Sequence, residues 1–565
     1  MNLLSWYGGH DAAFTVYVGD EDKFYNIELE KLVGVKHFSW ALKAHKSHRF
    51  FTPDYFHVMT KVGDLLDEWG LPKNYDAFIN SSFNLKTNPE PRFSTSMLTP
   101  DHLRAAGIEV KKTFFHNGHH VAHAWCAVGQ MPPDRGVVIT VDGGGDDGDF
   151  SISTFDRKKN LFKRRVSSRQ YKIGGKLEEQ GHMYLDSLLQ NTPHSQDLAG
   201  KIMGAAGFGN AENFSDLKLS DSWYRSELKV ADFHNEYHTA AGYLGETNRF
   251  RFLSKNHLTF QEEADRCAWM QKTLENSFSI ACKNLLKVDL QDLLKSYGNQ
   301  LLLSGGVALN IIHNKKLEER FGCNVWVPPN PGDNGLSFGM AYKFLVERKI
   351  ISFDKTYENS FLGPPVKDLY KINLYREVYQ NKSYEIELDD LVNFLKSGKV
   401  IALMQGNSEC GFRALGARSI LCDATFPDIK NRVNEIKRRE KYRPFAPMTL
   451  WKNASKWFNV GEVNNYKHMN MAVTIKSEMA EQMASVTHVD GTARLQTVDD
   501  PGFVYNLLEK HGGVLLNTSF NLGGKPICNS LYEGLHILER SSLDYLIVED
   551  HGKLICFEHH RNETV

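Results

Sequence analysis

Apolar residues at the start of the chain gather in short runs broken by glycine and acidic residues. Leu3–Tyr7 is one run, Gly8-Gly9-His10-Asp11 interrupts it, and a second run from Ala12 to Val18 closes at Gly19-Asp20. Runs of this length bounded by turn residues predict the two strands of a hairpin. The scheme recurs over residues 136–154, where an apolar strand enters Asp142-Gly143-Gly144-Gly145-Asp146 and Phe150–Thr154 returns. Helical periodicity marks Pro53–Trp69 and Glu262–Leu286. Leu301–Leu303 reads as a buried strand that enters Ser304-Gly305-Gly306 and a helix start, and the run from Val325 carries Asp333 from a strand end to the start of another helix. Phe361-Leu362-Gly363-Pro364-Pro365 interrupts both periodicities and predicts a linker. After it come a helix, Asp389–Lys396, and a strand, Val400–Met404.

Length and charge narrow the class. At 565 residues the chain is too long for one core and should divide into at least two domains. Its 41% hydrophobic and 24% charged residues are those of an ordinary globular protein. A formal net charge of -1 gives no global electrostatic case for nucleic acid or an acidic membrane. The N-terminal residues lack a basic start and an apolar core, and no stretch has the apolar length of a membrane span, so a cytoplasmic enzyme is the expectation. The 8 cysteines form no C-x-x-C pair, which argues against a structural zinc module and a disulfide framework.

Candidate chemistry lies at the breaks in the pattern. His116-Asn117-Gly118-His119-His120-Val121-Ala122-His123 concentrates four imidazoles ahead of a helix-compatible run. In a helix that includes His119, His119 and His123 project from one face and can share a cation. Asp142 and Asp333, each at a strand end, are the carboxylates that can complete the set. Two strand-glycine-strand hairpins with acidic tips suit a duplicated, actin-like nucleotide-binding fold, because glycine lets backbone amides approach phosphate oxygens. The Ser304–Asn310 segment is arranged for a nucleotide to lie against backbone, or is a tight strand-to-helix turn. The basic run Arg157–Arg165 reads as a solvated loop or edge, and could otherwise meet an anionic acceptor. Beyond the linker, Arg413, Arg418, Lys437, Arg443 and Arg494 stand beside glycine and proline turns, with the amide-rich Asn517–Asn521 segment. Guanidinium forks in that setting suit a small, doubly charged phosphate.

Taken in order, Gly9-His10-Asp11-Ala12-Ala13, His119-His120-x-x-His123-Ala124, Val141-Asp142-Gly143, Ser304–Asn310, Pro331-Gly332-Asp333-Asn334-Gly335, Phe412–Ser419, Arg439–Pro447 and Asn517–Asn521 resemble the NodU/CmcH-type O-carbamoyltransferases. The resemblance implies an α/β chain: an actin-like, duplicated Kae1-like domain over residues 1–360, a linker at 361–385 and a YrdC-like α/β domain over 386–565. It also implies that carbamoyl phosphate and ATP become carbamoyl adenylate, from which the carbamoyl group passes to an acceptor hydroxyl. By matching motif, His119, His123, Asp142 and Asp333 would hold a divalent metal, expected to be iron(II), with magnesium accompanying ATP. Gly143, Gly144, Ser304, Gly305, Gly306 and Asn310 would meet the nucleotide. Arg413, Arg418, Lys437, Arg443, Arg494 and Asn517 would line the carbamoyl phosphate site. His10, with Asp11, is the candidate for orienting or deprotonating the acceptor. The chain departs from the family pattern at Gln405–Gly411, where Cys410 stands for an aromatic and Phe412 for a proline, while Arg413 is retained. A small metabolite, a sugar or a hydroxymethylated nucleotide or nucleic acid fits the acceptor role; the residues do not choose among them, nor fix the oligomeric state. The competing readings are a threonylcarbamoyl-tRNA-type enzyme, for which no extended basic face is evident, a sugar kinase or ATPase, for which the arginine pocket has no purpose, and a degenerate metal- and nucleotide-binding regulator.

Overall fold

The computed structural model describes residues 1–40, 54–81, 97–168, 171, 173, 196–214 and 259–559. The aromatic and basic stretch up to Phe51 and the Pro53 helix start lie outside these. The chain divides into two compact units: one of residues 1–23, 37–64 and 72–358, the other of residues 24–36, 65–71 and 359–565. The second therefore takes two segments from early in the chain as well as everything from Asn359 onward. Among the described residues, no helix is long and apolar enough to cross a membrane.

Two mixed sheets dominate the first unit, and their strand pairing follows one scheme. Leu3–Tyr7 pairs antiparallel with Ala13–Val18 and parallel with Ala77–Ser81, which pairs parallel with Thr113–His116. Arg135–Gly145 takes the same place in the second sheet, antiparallel to Gly148–Asp156 and parallel to Gln300–Ser304, which pairs parallel with Asn324–Trp326. Leu3–Tyr7, Ala13–Val18 and Gly148–Asp156 are buried at every position; the first two read accordingly as mainly apolar runs, whereas Gly148–Asp156 buries Asp149, Ser151, Ser153 and Thr154 among its apolar residues. The expected helix with both histidines is His119–Gln130. It packs against Leu336–Glu347 closely enough that a Cβ at Gly339 would meet the Ala122 carbonyl and one at Gly129 would meet Phe338 and Tyr342. Asp333 lies in the short 3-10 turn that leads into that second helix. The packing thus brings the His helix and Asp333 together.

In the second unit, an eight-stranded sheet has the order Ser383–Ile386, Lys553–Glu558, Tyr545–Asp550, Ile401–Met404, Arg418–Asp423, Leu515–Ser519, Ala446–Leu450, Gln496–Val498. The helices Leu388–Lys396 and Phe503–His511 bury Leu391, Leu395, Leu507 and Leu508 with sheet residues including Leu403, Leu421, Leu515 and Ile547.

Two expectations change. The glycines after Asp142 are not a turn: the strand runs on to Gly145, with a register shift between Val141 and Gly145, and the tip falls at Asp146-Asp147. Residues 361–385 are not a bare linker, since they hold the helix Ile372–Tyr379 and most of the strand Ser383–Ile386. The basic run at 157–165 is the expected solvated turn and edge strand, with Lys158, Lys159, Lys163 and Arg165 exposed. Arg157 is buried, its guanidinium donating to the carbonyls of Pro133 at 3.0 Å, Phe353 at 2.7 Å and Met131 at 3.2 Å. Arg164 pairs with Asp147 at 3.0 Å, and Arg165 donates to Thr154 and Tyr297. Those arginines are engaged within the fold.

Candidate metal centre and anion site

Asp146 and Asp147 fix the start of the His helix. The Asp146 carboxylate accepts the N–H groups of Gly118 and His119, each at 2.9 Å, and Asp147 accepts those of His120 at 2.8 Å and Val121 at 3.2 Å. Two carboxylates thereby satisfy four helix-terminal donors. On the buried side, His119 Nε2 and His123 Nε2 lie 3.1 Å apart. Asp142 Oδ2 is 2.8 Å from His123 Nε2 and 3.4 Å from His119 Nε2, and Asp333 Oδ1 is 3.4 and 3.5 Å from the same two nitrogens. All four ligand atoms fall within 4.8 Å of one another. Donors bonded at about 2.1 Å to one metal lie roughly 3 to 3.4 Å apart, so this set fits a divalent cation. Two imidazoles with two carboxylates suit a transition metal better than magnesium.

The surroundings support these ligands. Tyr7, buried, donates its hydroxyl to Asp333 Oδ2, and a Cβ at Gly9 would strike that hydroxyl. His120 turns away from the cluster, its Nδ1 2.7 Å from Thr140 Oγ1. His10 approaches Asp11 Oδ2 through Nδ1 at 2.8 Å and Asp333 Oδ2 through Nε2 at 3.2 Å. Burial disfavours its charge, but Asp333 and Asp11 outweigh that and hold it up at about 10. Asp11 also meets His37 Nδ1 at 2.7 Å.

The nucleotide candidates divide. Gly305, at φ 93°, lies where a Cβ would meet the Val141 carbonyl at 2.2 Å, and a Cβ on Gly306 would come within 3.3 Å of Asp142 Oδ1. Gly143 donates its N–H to Asp142 Oδ1 at 2.6 Å and is exposed, while Gly144 is half-buried. These glycines border the metal cluster. Ser304 Oγ donates to the Pro331 carbonyl at 3.2 Å. Asn310 caps the helix Ile311–Phe321, accepting the His313 N–H at 3.0 Å and donating to Gln271 at 2.8 Å.

In the second unit, Arg413, Lys437, Arg443 and Arg494 come together, and Arg439 joins them. Burial, then the charge of Arg443, pushes Arg413 down to about 10. Burial first and neighbouring cations second hold Lys437, Arg439 and Arg494 well below their ordinary values. Among the described residues, the one carboxylate ion-paired to the group is Glu440, 3.6 Å from Arg443. The Nε atoms of Arg413 and Arg494 are buried without a hydrogen-bond partner. Lys437 donates to Ser519 and Asn521, and Arg439 lies 4.0 Å from the Phe445 ring centroid with its Nε on Asn434 at 2.9 Å.

Arg418 is not brought to this cluster. Fully buried, it donates to Asn529 Oδ1 and to the carbonyls of Gln405, Gly406, Ala417 and Pro364 at 2.6 to 3.3 Å, so its fork is occupied by the fold. Asn517 is an internal brace, donating to Gln496 Oε1 at 2.7 Å and to the Ala414 carbonyl at 3.1 Å beside Arg413. Sequence reasoning assigned no role to Tyr7, Asp147 or Arg439. Only Arg439 left a signal, its place in the Arg439–Pro447 motif.

The chain belongs to the carbamoyltransferase family and by that membership is a transferase. Residues 73–342 match the family description "Carbamoyltransferase N-terminus" and residues 392–553 match "Carbamoyltransferase C-terminus". It is 28% identical over 449 residues to nodulation protein NolNO of Sinorhizobium fredii, covering 76% of this chain and 62% of that protein's length. With the 3'-hydroxymethylcephem-O-carbamoyltransferase of Amycolatopsis lactamdurans it shares 26% identity over 584 residues, covering 97% of this chain and 98% of that one. Among solved structures, T. kodakarensis HypF aligns with a TM-score of 0.31 at 17% identity, covering 63% of this chain and 49% of that chain.

Proposed function

We propose that this protein is an O-carbamoyltransferase that uses carbamoyl phosphate and ATP to form carbamoyl adenylate and passes the carbamoyl group to an acceptor hydroxyl. The observation that carries this reading is the half-buried cation cluster of Arg413, Lys437, Arg439, Arg443 and Arg494, with which Glu440 alone ion-pairs among the described residues and in which the Nε atoms of Arg413 and Arg494 have no hydrogen-bond partner. Burying such charge is costly unless an anion joins it. A phosphate dianion supplies that charge and several acceptor oxygens.

In this account Arg413, Lys437, Arg443 and Arg494 hold carbamoyl phosphate, Arg439 adds to their field, and Asn517 and Arg418 keep the surrounding backbone in place. Water hydrolyses carbamoyl phosphate to phosphate and carbamate, and a carbamate oxygen attacks the α-phosphorus of ATP, displacing pyrophosphate and giving carbamoyl adenylate, a mixed anhydride whose AMP leaving group is of low basicity. In the first unit, His119, His123, Asp142 and Asp333 would hold iron(II), which supplies Lewis-acid charge as AMP departs. Gly143, Gly144 and the Ser304–Asn310 segment border the nucleotide. Asp11 orients His10 through Nδ1, and His10, held protonated by Asp11 and Asp333, orients the acceptor hydroxyl in place of the deprotonating role the sequence also allowed. The finer fold reading belongs to the same proposal: the repeated strand scheme of the first unit is that of a duplicated, actin-like, Kae1-like domain, and the second unit is YrdC-like. A relative named for transfer to a hydroxymethyl group makes a hydroxylated small molecule the preferred acceptor class.

The test is incubation of the protein with carbamoyl phosphate, ATP and a pooled library of hydroxylated metabolites. Mass spectrometry should find a species heavier by one carbamoyl group. Consumption of neither co-substrate, with metal bound, would favour a regulator instead.

A further inference from the structure

Arg413 sits in the irregular connection 405–417 between the strands Ile401–Met404 and Arg418–Asp423. No helix or strand aims it. Two clamps flank it. After it in sequence, Glu409 Oε1, buried, accepts the N–H groups of Leu415, Ala417 and Arg418 at 2.7, 2.8 and 3.2 Å. Before it, Lys31 Nζ donates to the carbonyls of Glu409 at 2.5 Å and Gly411 at 3.2 Å. Lys31 is itself ion-paired with Glu28 Oε2 at 2.6 Å, both side chains being only 4% exposed, and Glu28 Oε1 accepts the Gly411 N–H at 2.5 Å. Glu28 and Lys31 belong to the early segment that clusters with the second unit. Gly411 and Gly416, at φ 95° and 116°, mark the two bends, and a Cβ at Gly416 would press on Val504.

A buried ammonium on two carbonyls and its partner carboxylate on the intervening N–H fix the backbone on one side of Arg413, while Glu409 fixes the other. We propose that Lys31, paired with Glu28, is a positioning residue of the anion site: it holds residues 409–411 so that the Arg413 guanidinium meets a phosphate group. This rests on the reading of the cation cluster as the carbamoyl phosphate site. Lys31 touches no substrate in this account. It acts through the loop.

The full-length double variant Glu28→Gln with Lys31→Met removes both charges together and strands neither. Misplacement of a binding group on this scale should raise KM for carbamoyl phosphate, and the inhibition constant of inorganic phosphate against it, by about tenfold to a hundredfold. KM for ATP should stay within about twofold, and Lys31→Arg, which keeps charge and donors, should recover most of the loss. A wild-type KM for carbamoyl phosphate in the double variant overturns the proposal, as does an equal rise for both substrates, which general loosening would give. Should the double variant fail to fold, Glu28→Gln alone keeps an acceptor for the Gly411 N–H, removes the counter-charge of Lys31 and carries the same two readings. The rise in unfolding midpoint caused by inorganic phosphate separates this claim from the wider one. If wild type shows it, the variant loses it and carbamoyl transfer is absent, the positioning role stands and the functional reading falls; if wild type shows no rise, the positioning role falls.

Discussion

The two polar clusters are opposites in charge. In the first unit, two imidazoles face two carboxylates, with Asp142 held well below its ordinary value by His119 and His123 in spite of its burial. Every charge there has a partner, and the four ligand atoms are spaced as a cation would space them. In the second unit, four arginines and a lysine face one carboxylate, and burial lowers every shifted group in the set. The charges of the first cluster balance one another, and in the proposed function it would exchange protons for a divalent cation. The second is self-repelling until an anion arrives. A protein that handles a metal and a phosphate compound in one chain needs both kinds of site, and pairing decides which is which.

That contrast can be broken by experiment. The largest expected effect is on metal: His119→Ala with His123→Ala should reduce a divalent metal from about one per chain to nearly none, since two of four ligands are gone. Elemental analysis measures it, and equal metal in both proteins would remove the first half of the comparison. Next comes Arg418→Ala against Arg443→Ala. Arg418 is spent on five acceptors within the fold, so its loss should cost on the order of 3 kcal/mol or more of stability, read from denaturant midpoints. Arg443→Ala should unfold at the wild-type midpoint or above, because it relieves repulsion, yet weaken inorganic phosphate binding by about tenfold or more, read by calorimetry. A destabilised Arg443→Ala would deny that the cluster is self-repelling.

The smallest effect is in acid. His488, Thr492 and the Thr492 N–H outweigh burial and hold Asp490 down at about 2. A carboxyl whose folded value is depressed contributes stability that is present above its unfolded value near 4 and is lost as pH falls through its folded value. Asp490→Asn should therefore lower the unfolding midpoint slightly at pH 6, with the difference shrinking as pH falls below about 4 and vanishing only below the folded value of about 2. Asp490 stands four residues before Arg494 and holds the start of the strand Thr492–Arg494, so phosphate affinity is to be read beside the midpoint, while metal content should stay that of the wild type.

How far the sequence disclosed these sites follows from what each depends on. The grouping of the proposed metal ligands was legible because helical spacing puts His119 and His123 on one face and because Asp142 and Asp333 stand at the ends of apolar runs. Tyr7 was not, since it is one more aromatic in a buried strand, and its reach to Asp333 depends on Gly9 and on packing across more than three hundred residues of sequence. Arg418 and Arg439 are alike in sequence, each an arginine in a loop-and-strand motif. Their roles separate only when the sheet places Arg418 opposite Met404, where backbone carbonyls fill its fork, and stacks Arg439 over Phe445. The second unit takes everything from Asn359 onward, and no local pattern in residues 24–36 announces that they cluster with it.

The account's central claim is that the cation cluster serves an adenylate-forming carbamoyl transfer, and the identity of the nucleotide product tests it most directly. Wild-type protein loaded with metal would be incubated with ATP, carbamoyl phosphate and acceptor, and the nucleotides separated by chromatography. The account predicts AMP and pyrophosphate, formed only when carbamoyl phosphate is present; ADP as the main product would contradict it.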